Sequence, residues 1–254
     1  MTGHNRRRLG KNLWTAEAKG EPLRVFEAAT DIEEAASIVD EVRSLRAEGV
    51  SLIHIAVLYR SNAQSRVLEH ALFTAGMPYR VYGGLRFFER QEVKHALAYL
   101  RLVANPDDDG AIARVINFPA RGIGNRSLEQ LEDAAKAGGT SLWAAAKSKS
   151  EGSHASPAKG VPGFVALIER MRDAAKDLPL PEAIEHVIDA SGLAAHYRGE
   201  KEGADRLENL SELINAAATF VAERNVQPAG EAAGMDEPDE LTAFLAHAAL
   251  EAGE

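Results

Sequence analysis

The residues best suited to holding an anion lie in one stretch, Phe118–Leu131, FPARGIGNRSLEQL. Gly122 and Gly124 flank Ile123, and both can bring bare backbone close to another surface. A helix-start pattern follows, so the first N–H groups of the next helix leave the turn unpaired, at the positive end of the helix dipole. That arrangement suits a phosphate. Arg114, Arg121 and Arg126 surround the stretch, and no acid lies between Gly110 and Leu128. The same residues also describe a plain helix hairpin that uses glycine only to turn, and the stretch by itself is compatible with either reading.

Two further groups of residues could meet a polyanion. The apolar run Ser51–Tyr59 delivers Arg60, Ser61 and Asn62 to its carboxyl end, the edge at which parallel strands face ligands. Asn62 or Ser61 can equally be a helix N-cap, a role compatible with ligand contact. Downstream, Tyr82–Leu102 (YGGLRFFERQEVKHALAYLRL) gathers Arg86, Arg90, Lys94 and Arg101 among Phe87, Phe88 and Tyr99. Such a mixture serves phosphate contact with base or sugar packing. Against it stand surface ion pairing by Glu89 and Glu92 and an ordinary core role for the phenylalanines.

Bond-making chemistry finds no support. The chain has no GxxxxGK[ST], no GxGxxG between strand and helix, and no apolar strand ending in Asp-Glu. The eight histidines are scattered and none forms HExxH, so no metal site and no catalytic residue is assigned. Asp107-Asp108-Asp109 reads as a solvated helix start, with Asp108 or Asp109 as N-cap, ahead of a divalent-ion site.

The elements that must position these residues change character along the chain. Strand patterns at 22–28, 51–59 and 77–82 alternate with helical patterns at 31–48 and 62–75, which gives β-α-β-α-β and a parallel sheet with right-handed crossovers. After Gly83-Gly84 the strands stop. Helices are expected at 88–103, 109–117, 126–137, 140–147, 162–176, 181–190, 205–223 and 239–250, with loops at 147–160 and 226–238. The fold class is therefore α/β followed by all-α, divided into residues 1–83 and 84–254 with a hinge near 83–88. Three strands make too small a sheet to bury both faces, so the first piece is expected to be an incomplete domain whose other strands lie elsewhere in a parent chain.

Composition sets outer bounds. The 254 residues contain no cysteine, which excludes disulfides and thiolate metal sites and fits a reducing compartment. No apolar run approaches the roughly 20 residues of a membrane span, so a soluble, cytoplasmic protein is expected. The net charge of −9 hides an asymmetry: residues 1–102 hold 15 Lys and Arg against 12 Asp and Glu, and residues 103–254 hold 14 against 26. Because acid is concentrated in one half and bases cluster locally, the total charge does not argue against a nucleic-acid partner.

Taken in order, LYRSNAQSRVLEHAL (58–72), PYRVYGGLRFFERQEVKHALAYLRL (78–102), FPARGIGNRSL (118–128) and FLAHAALEAGE (244–254) resemble the UvrD/Rep/PcrA family of superfamily-one DNA helicases. RLGKNLWT (8–15) and DRLENLSELINAA (205–217) extend the likeness along the chain. Such helicases have two RecA-like motor domains, 1A and 2A, with insertions 1B and 2B. The resemblance implies that residues 1–83 are an incomplete RecA-like part of 2A, and that residues 84–254 are a helical 2B subdomain with a helix-hairpin-helix-like GIG turn. It implies single-strand contacts at Arg60, Asn62 and Lys94. Duplex contacts fall at Arg121, Gly122, Ile123, Gly124, Asn125 and Ser127, with Arg101 beside them, and the 2B swivel at Gly83 and Gly84. The implied partners are a 3′-tailed single strand with its adjoining duplex and the rest of the helicase chain, namely 1A, 1B and the remainder of 2A, with repair proteins beyond them. ATP and Mg²⁺ belong to that parent protein, and this chain is expected to hold no cofactor and to be inactive alone. The competing expectation is a protein-docking module of a repair factor with little DNA binding.

Overall fold

The computed structural model describes residues 22–60, 63–81, 86–151, 160–201, 203–226 and 239–252. Helix α1 (Asp31–Ala47) begins where Thr30 accepts the Glu33 N–H at 3.1 Å, with Asp31, Glu33 and Glu34 in the first turn to offset the dipole. It packs on α2 (Gln64–Thr74) through Val39, Val42 and Met77, with Ile38, Leu72 and Ala75 around them. Leu52–His54 forms one 3₁₀ turn.

The strands expected at 22–28, 51–59 and 77–82 are not formed among the described residues, and the architecture there is helical. Leu23, Val25 and Leu58 remain 84%, 94% and 94% exposed. The physical reason lies in how each element satisfies its backbone. A helix pairs its own N–H and C=O groups, whereas a strand needs a neighbour to take them. Helices α1 and α2 therefore form from local sequence alone, and the strand patterns, with no paired neighbour among the described residues, carry no ladder.

The remainder is one helical body: α3 (Gln91–Ala104), α4 (Asp109–Val115), α5 (Asn125–Gly138), α6 (Leu142–Glu151), α7 (Gly160–Ala175), α8 (Leu180–Ala190), α9 (Leu193–Arg198), α10 (Gly203–Val226) and α11 (Glu240–Ala252). Helix α3 runs through its centre. Val93, Ala96, Tyr99, Leu100 and Leu102 are wholly buried, so the helix is apolar on nearly every side and packs against α4, α7, α8, α10 and α11. Asp108 caps α4 by accepting the Ala111 N–H at 2.9 Å, and Asp109 accepts the Leu142 N–H at 2.8 Å where α6 begins. The aspartate run is thus a pair of helix starts. Among the described residues no helix is long and apolar enough to cross a membrane.

Candidate nucleic-acid interface

The turn at 117–127 joins α4 to α5 and is built from both ends. Phe118 precedes a cis peptide bond to Pro119 and lies against the His95 ring, 3.9 Å between centroids, with His196 edge-on at 4.7 Å. Asn117 Oδ1 accepts two backbone N–H groups, from Arg121 at 2.8 Å and Ile123 at 3.1 Å, and so folds the chain around itself. Ile123 points into the core and is 3% exposed. Gly122 sits at φ +75°, in the left-handed region that disfavours any Cβ, and Gly124 at φ −79° immediately precedes α5.

A Cβ added at either glycine would meet nothing within 4 Å. No packing requirement of the described structure therefore keeps those positions bare, and both glycines are exposed. At the mouth of α5 the N–H groups of Gly124, Asn125 and Arg126 make no hydrogen bond among the described residues, whereas Ser127 and Leu128 already pair back to the Gly124 carbonyl. Asn125 is exposed and Ser127 half-buried beside these groups. Arg114 and Arg126 are exposed, with no hydrogen bond or ion pair among the described residues. The turn thus presents bare backbone, free donors and two free cations, a composition suited to a phosphate chain.

Arg121 is arranged differently. Its guanidinium donates to the carbonyls of Pro119 at 2.8 Å and Ser191 at 2.6 Å, and it lies over the Tyr99 ring at 5.6 Å. It ties the turn to the end of α8 and to α3. The Tyr99 hydroxyl donates to the Val115 carbonyl at 3.2 Å and also to that of Phe118, and burial pushes its pKa up to about 12 despite Arg121.

The other expected contacts are distributed elsewhere. Lys94 lies half-buried near the start of α3, without a hydrogen-bond or ion-pair partner for its side chain among the described residues. Arg60 is exposed, and its N–H donates to Gln64 Oε1 at 3.1 Å. Its neighbour Tyr59 lines the same cleft as Arg90, Gln91 and Glu92 at the start of α3. Arg101 is half-buried in the last turn of α3. Asn62, Gly83 and Gly84 lie outside the described residues, as does the 8–15 segment.

Four members of the basic-aromatic cluster turn out to be interior. Phe87 and Phe88 are core residues at 1% and 4% exposure, and Tyr99 is wholly buried. Arg90, expected on a phosphate-facing side, is 8% exposed and donates to Asn209 Oδ1 at 2.8 Å and Ser65 Oγ at 2.6 Å.

The model of the UvrD-like helicase C-terminal domain matches residues 2–254. The chain belongs to that family. It is similar to DNA helicase II of Escherichia coli, 43% identical over 259 residues, covering 99% of this chain and 34% of the relative. DNA helicase II of Haemophilus influenzae is also 43% identical, over 260 residues and 34% of its length. The ATP-dependent DNA helicase PcrA of Bacillus subtilis is 35% identical over 221 residues, covering 85% of this chain and 30% of the relative. The chain thus spans about a third of the length of these curated relatives.

In this UvrD-like domain a buried polar seam joins α2 to the helical body. Arg66 pairs with Glu212, whose other oxygen accepts Asn215 Nδ2 at 2.9 Å. Asn209 bridges the Arg90 guanidinium to Glu92, donating to Glu92 Oε1 at 2.7 Å, and Glu92 in turn faces Arg206 at 3.8 Å. Glu69 accepts the Phe87 N–H at 3.3 Å, and burial raises its carboxyl pKa. Sequence reasoning missed this seam. The available signal was polar residues at core register, such as Asn209 and Glu212 within the apolar spacing of α10.

Proposed function

We propose that this chain supplies part of the 2A motor domain and the 2B insertion of an ATP-driven 3′–5′ DNA helicase, with the division near residues 83–88. The observation that carries this reading is the turn at 117–127. Ile123 is anchored inward, Gly122 is held to glycine by its own φ of +75°, and Gly124, unstrained and bare outward, leaves its backbone open to a docking partner. The proposed occupant is the phosphate backbone of duplex DNA, held by the N–H groups of Gly124, Asn125 and Arg126, by Ser127, and by Arg114 and Arg126. Arg121 serves the same contact by fixing the shape of the turn, and Arg101 adds a duplex contact from the last turn of α3. Arg60, Asn62 and Lys94 contact the single strand, and Gly83-Gly84 forms the hinge on which 2B swivels.

In this reading the strand patterns of residues 22–28, 51–59 and 77–82 pair with strands from the remainder of the motor domain. The exposure of Leu23, Val25 and Leu58 supports it, as does a cleft of about 1050 Å³ lined by Ile55, Val57, Leu58, Tyr79 and Val81. ATP and Mg²⁺ act in the parts of the parent protein that carry its phosphate-binding loop, so the chain alone binds DNA without hydrolysing ATP. Contacts of this kind read shape and phosphate, with little sequence preference and with strong weakening by salt.

The test is fluorescence anisotropy with a 3′-tailed duplex at low salt, comparing the chain with Gly124→Val. At φ −79° valine is unstrained and meets open space, so stability falls by no more than about 1 kcal/mol, the loss expected at an N-cap. The outward side chain blocks close approach, and affinity falls on the order of tenfold, about 1.4 kcal/mol. Unchanged affinity would remove the duplex contact from the turn and favour the alternative reading, a protein-docking module. Phosphate release above background in the presence of DNA would overturn the assignment of ATP hydrolysis to the remainder of the parent.

A further inference from the structure

Away from the turn, α2 and α11 bring together three side chains that sequence spacing alone does not connect. His70 projects from α2, and His247 and Glu251 stand one turn apart on α11, the i and i+4 positions of one helix face. One nitrogen of each ring and one Glu251 oxygen all lie within 4.8 Å of one another. Glu251 Oε1 is 2.7 Å from His70 Nδ1 and 2.8 Å from His247 Nε2. Two imidazoles and a carboxylate converging on one point form the donor set of a zinc-class cation with three protein ligands.

The surroundings complete the arrangement. The far nitrogen of His70, Nε2, donates to Glu223 Oε1 at 3.0 Å. A carboxylate behind a ligating imidazole fixes its tautomer and turns the opposite nitrogen toward a metal. Phe220 covers the His247 ring at 5.2 Å, so one wall of the site is apolar. The Glu251 side chain is 5% exposed and that of His70 14%, whereas that of His247 is 25% exposed and leaves an open side for a water as fourth ligand. Tetrahedral zinc with bonds near 2.0–2.1 Å needs its donors about 3.3 Å apart. The Glu251 oxygen reaches that spacing from each ring nitrogen by parting roughly half an ångström, and the two nitrogens, within 4.8 Å of one another, adjust by χ rotations on two helices.

We propose that His70, His247 and Glu251 bind one divalent cation of the zinc class, which staples α2 to α11. The site is structural in effect, since its ligands come from two elements far apart in the chain and no reacting group of the described residues adjoins it. Its existence is independent of the DNA reading of the turn at 117–127.

The experiment titrates the chelator-treated, full 254-residue chain with Co²⁺ and follows the visible d–d absorption that tetrahedral coordination intensifies. The expected result is a band saturating at one equivalent, displaced by Zn²⁺, with Zn²⁺ in hundredfold excess over its Kd raising the melting temperature by about 5 °C. His70→Gln and His247→Gln each weaken the band more than tenfold, while His54→Gln and His186→Gln leave it intact. Circular dichroism without metal checks that each variant is folded. In the unsubstituted chain, side-chain ¹⁵N resonances of His70 and His247 shift on adding one equivalent of Zn²⁺ and those of the other histidines do not. A missing band, a band that survives both His70→Gln and His247→Gln, or zinc-dependent shifts at other histidines would each overturn the site.

Discussion

Lowering the pH should loosen the helical body through one buried imidazole. His95 on α3 is 6% exposed, receives the Tyr197 hydroxyl on Nδ1 at 2.7 Å, and supports the Phe118 ring. Burial pulls its pKa down from the ordinary 6.5 to about 4, with the positive charges of Arg114, His196 and Arg206 acting in the same direction. Above pH 6.5 both folded and unfolded chains hold the ring neutral. As pH falls from 6.5 towards 4 the unfolded chain takes up a proton that the folded chain refuses, so stability is lost through that window and the loss levels off below it. At one pKa unit per 1.36 kcal/mol, the full loss is about 3 kcal/mol, of which about 2 has accrued by pH 5. Urea unfolding followed by circular dichroism at pH 7, 6 and 5 measures it. Other groups titrate in this range, so the decisive quantity is the difference from His95→Gln, which keeps an acceptor for Tyr197 and cannot titrate. The unsubstituted chain should lose about 2 kcal/mol more than the variant between pH 7 and 5. Parallel curves for the two proteins would refute the reasoning.

Two further outcomes follow from named contacts. Ile123→Ala empties a buried position under the turn and should cost about 2–5 kcal/mol in denaturant unfolding, with hydrogen exchange accelerating first at 117–127; a loss below about 1 kcal/mol would mean the turn is not anchored there. Arg66→Ala leaves Glu212 buried without its guanidinium and should cost about 3–5 kcal/mol, whereas Arg66→Met with Glu212→Leu should recover most of that stability; equal losses in both proteins would show that the ion pair is not the source.

The helices were legible because each is written in local periodicity. Asp108 announces α4, and α3, α8 and α10 carry recurrent apolar residues at helical spacing. Helix α9 escaped because it is only six residues long and starts after Gly192 at φ +82°, which reads as a loop. The strands were legible as patterns, but pairing is a property of neighbours and not of a pattern. At the turn, glycine spacing located the exposed backbone, yet only geometry distinguished Arg121, bound to carbonyls, from Arg114 and Arg126, which make no hydrogen bond or ion pair among the described residues. Arg90 was misplaced for a related reason. Its partners Ser65 and Asn209 are remote in sequence, and a cation followed by an amphipathic helix gives no local sign of which way it points.

The bracing of the turn also bears on how force would travel. Ile123 is seated in the core, Arg121 is fastened to the ends of α4 and α8, and Phe118 is wedged between α3 and α9. A pull on the exposed backbone at Gly122–Gly124 is therefore shared at once among four helices and cannot be absorbed by stretching a slack loop. The helical body would behave as a stiff lever, and compliance would have to reside at its attachments to neighbouring parts, where the polar seam on α2 offers contacts that break and reform with direction more readily than an apolar core does.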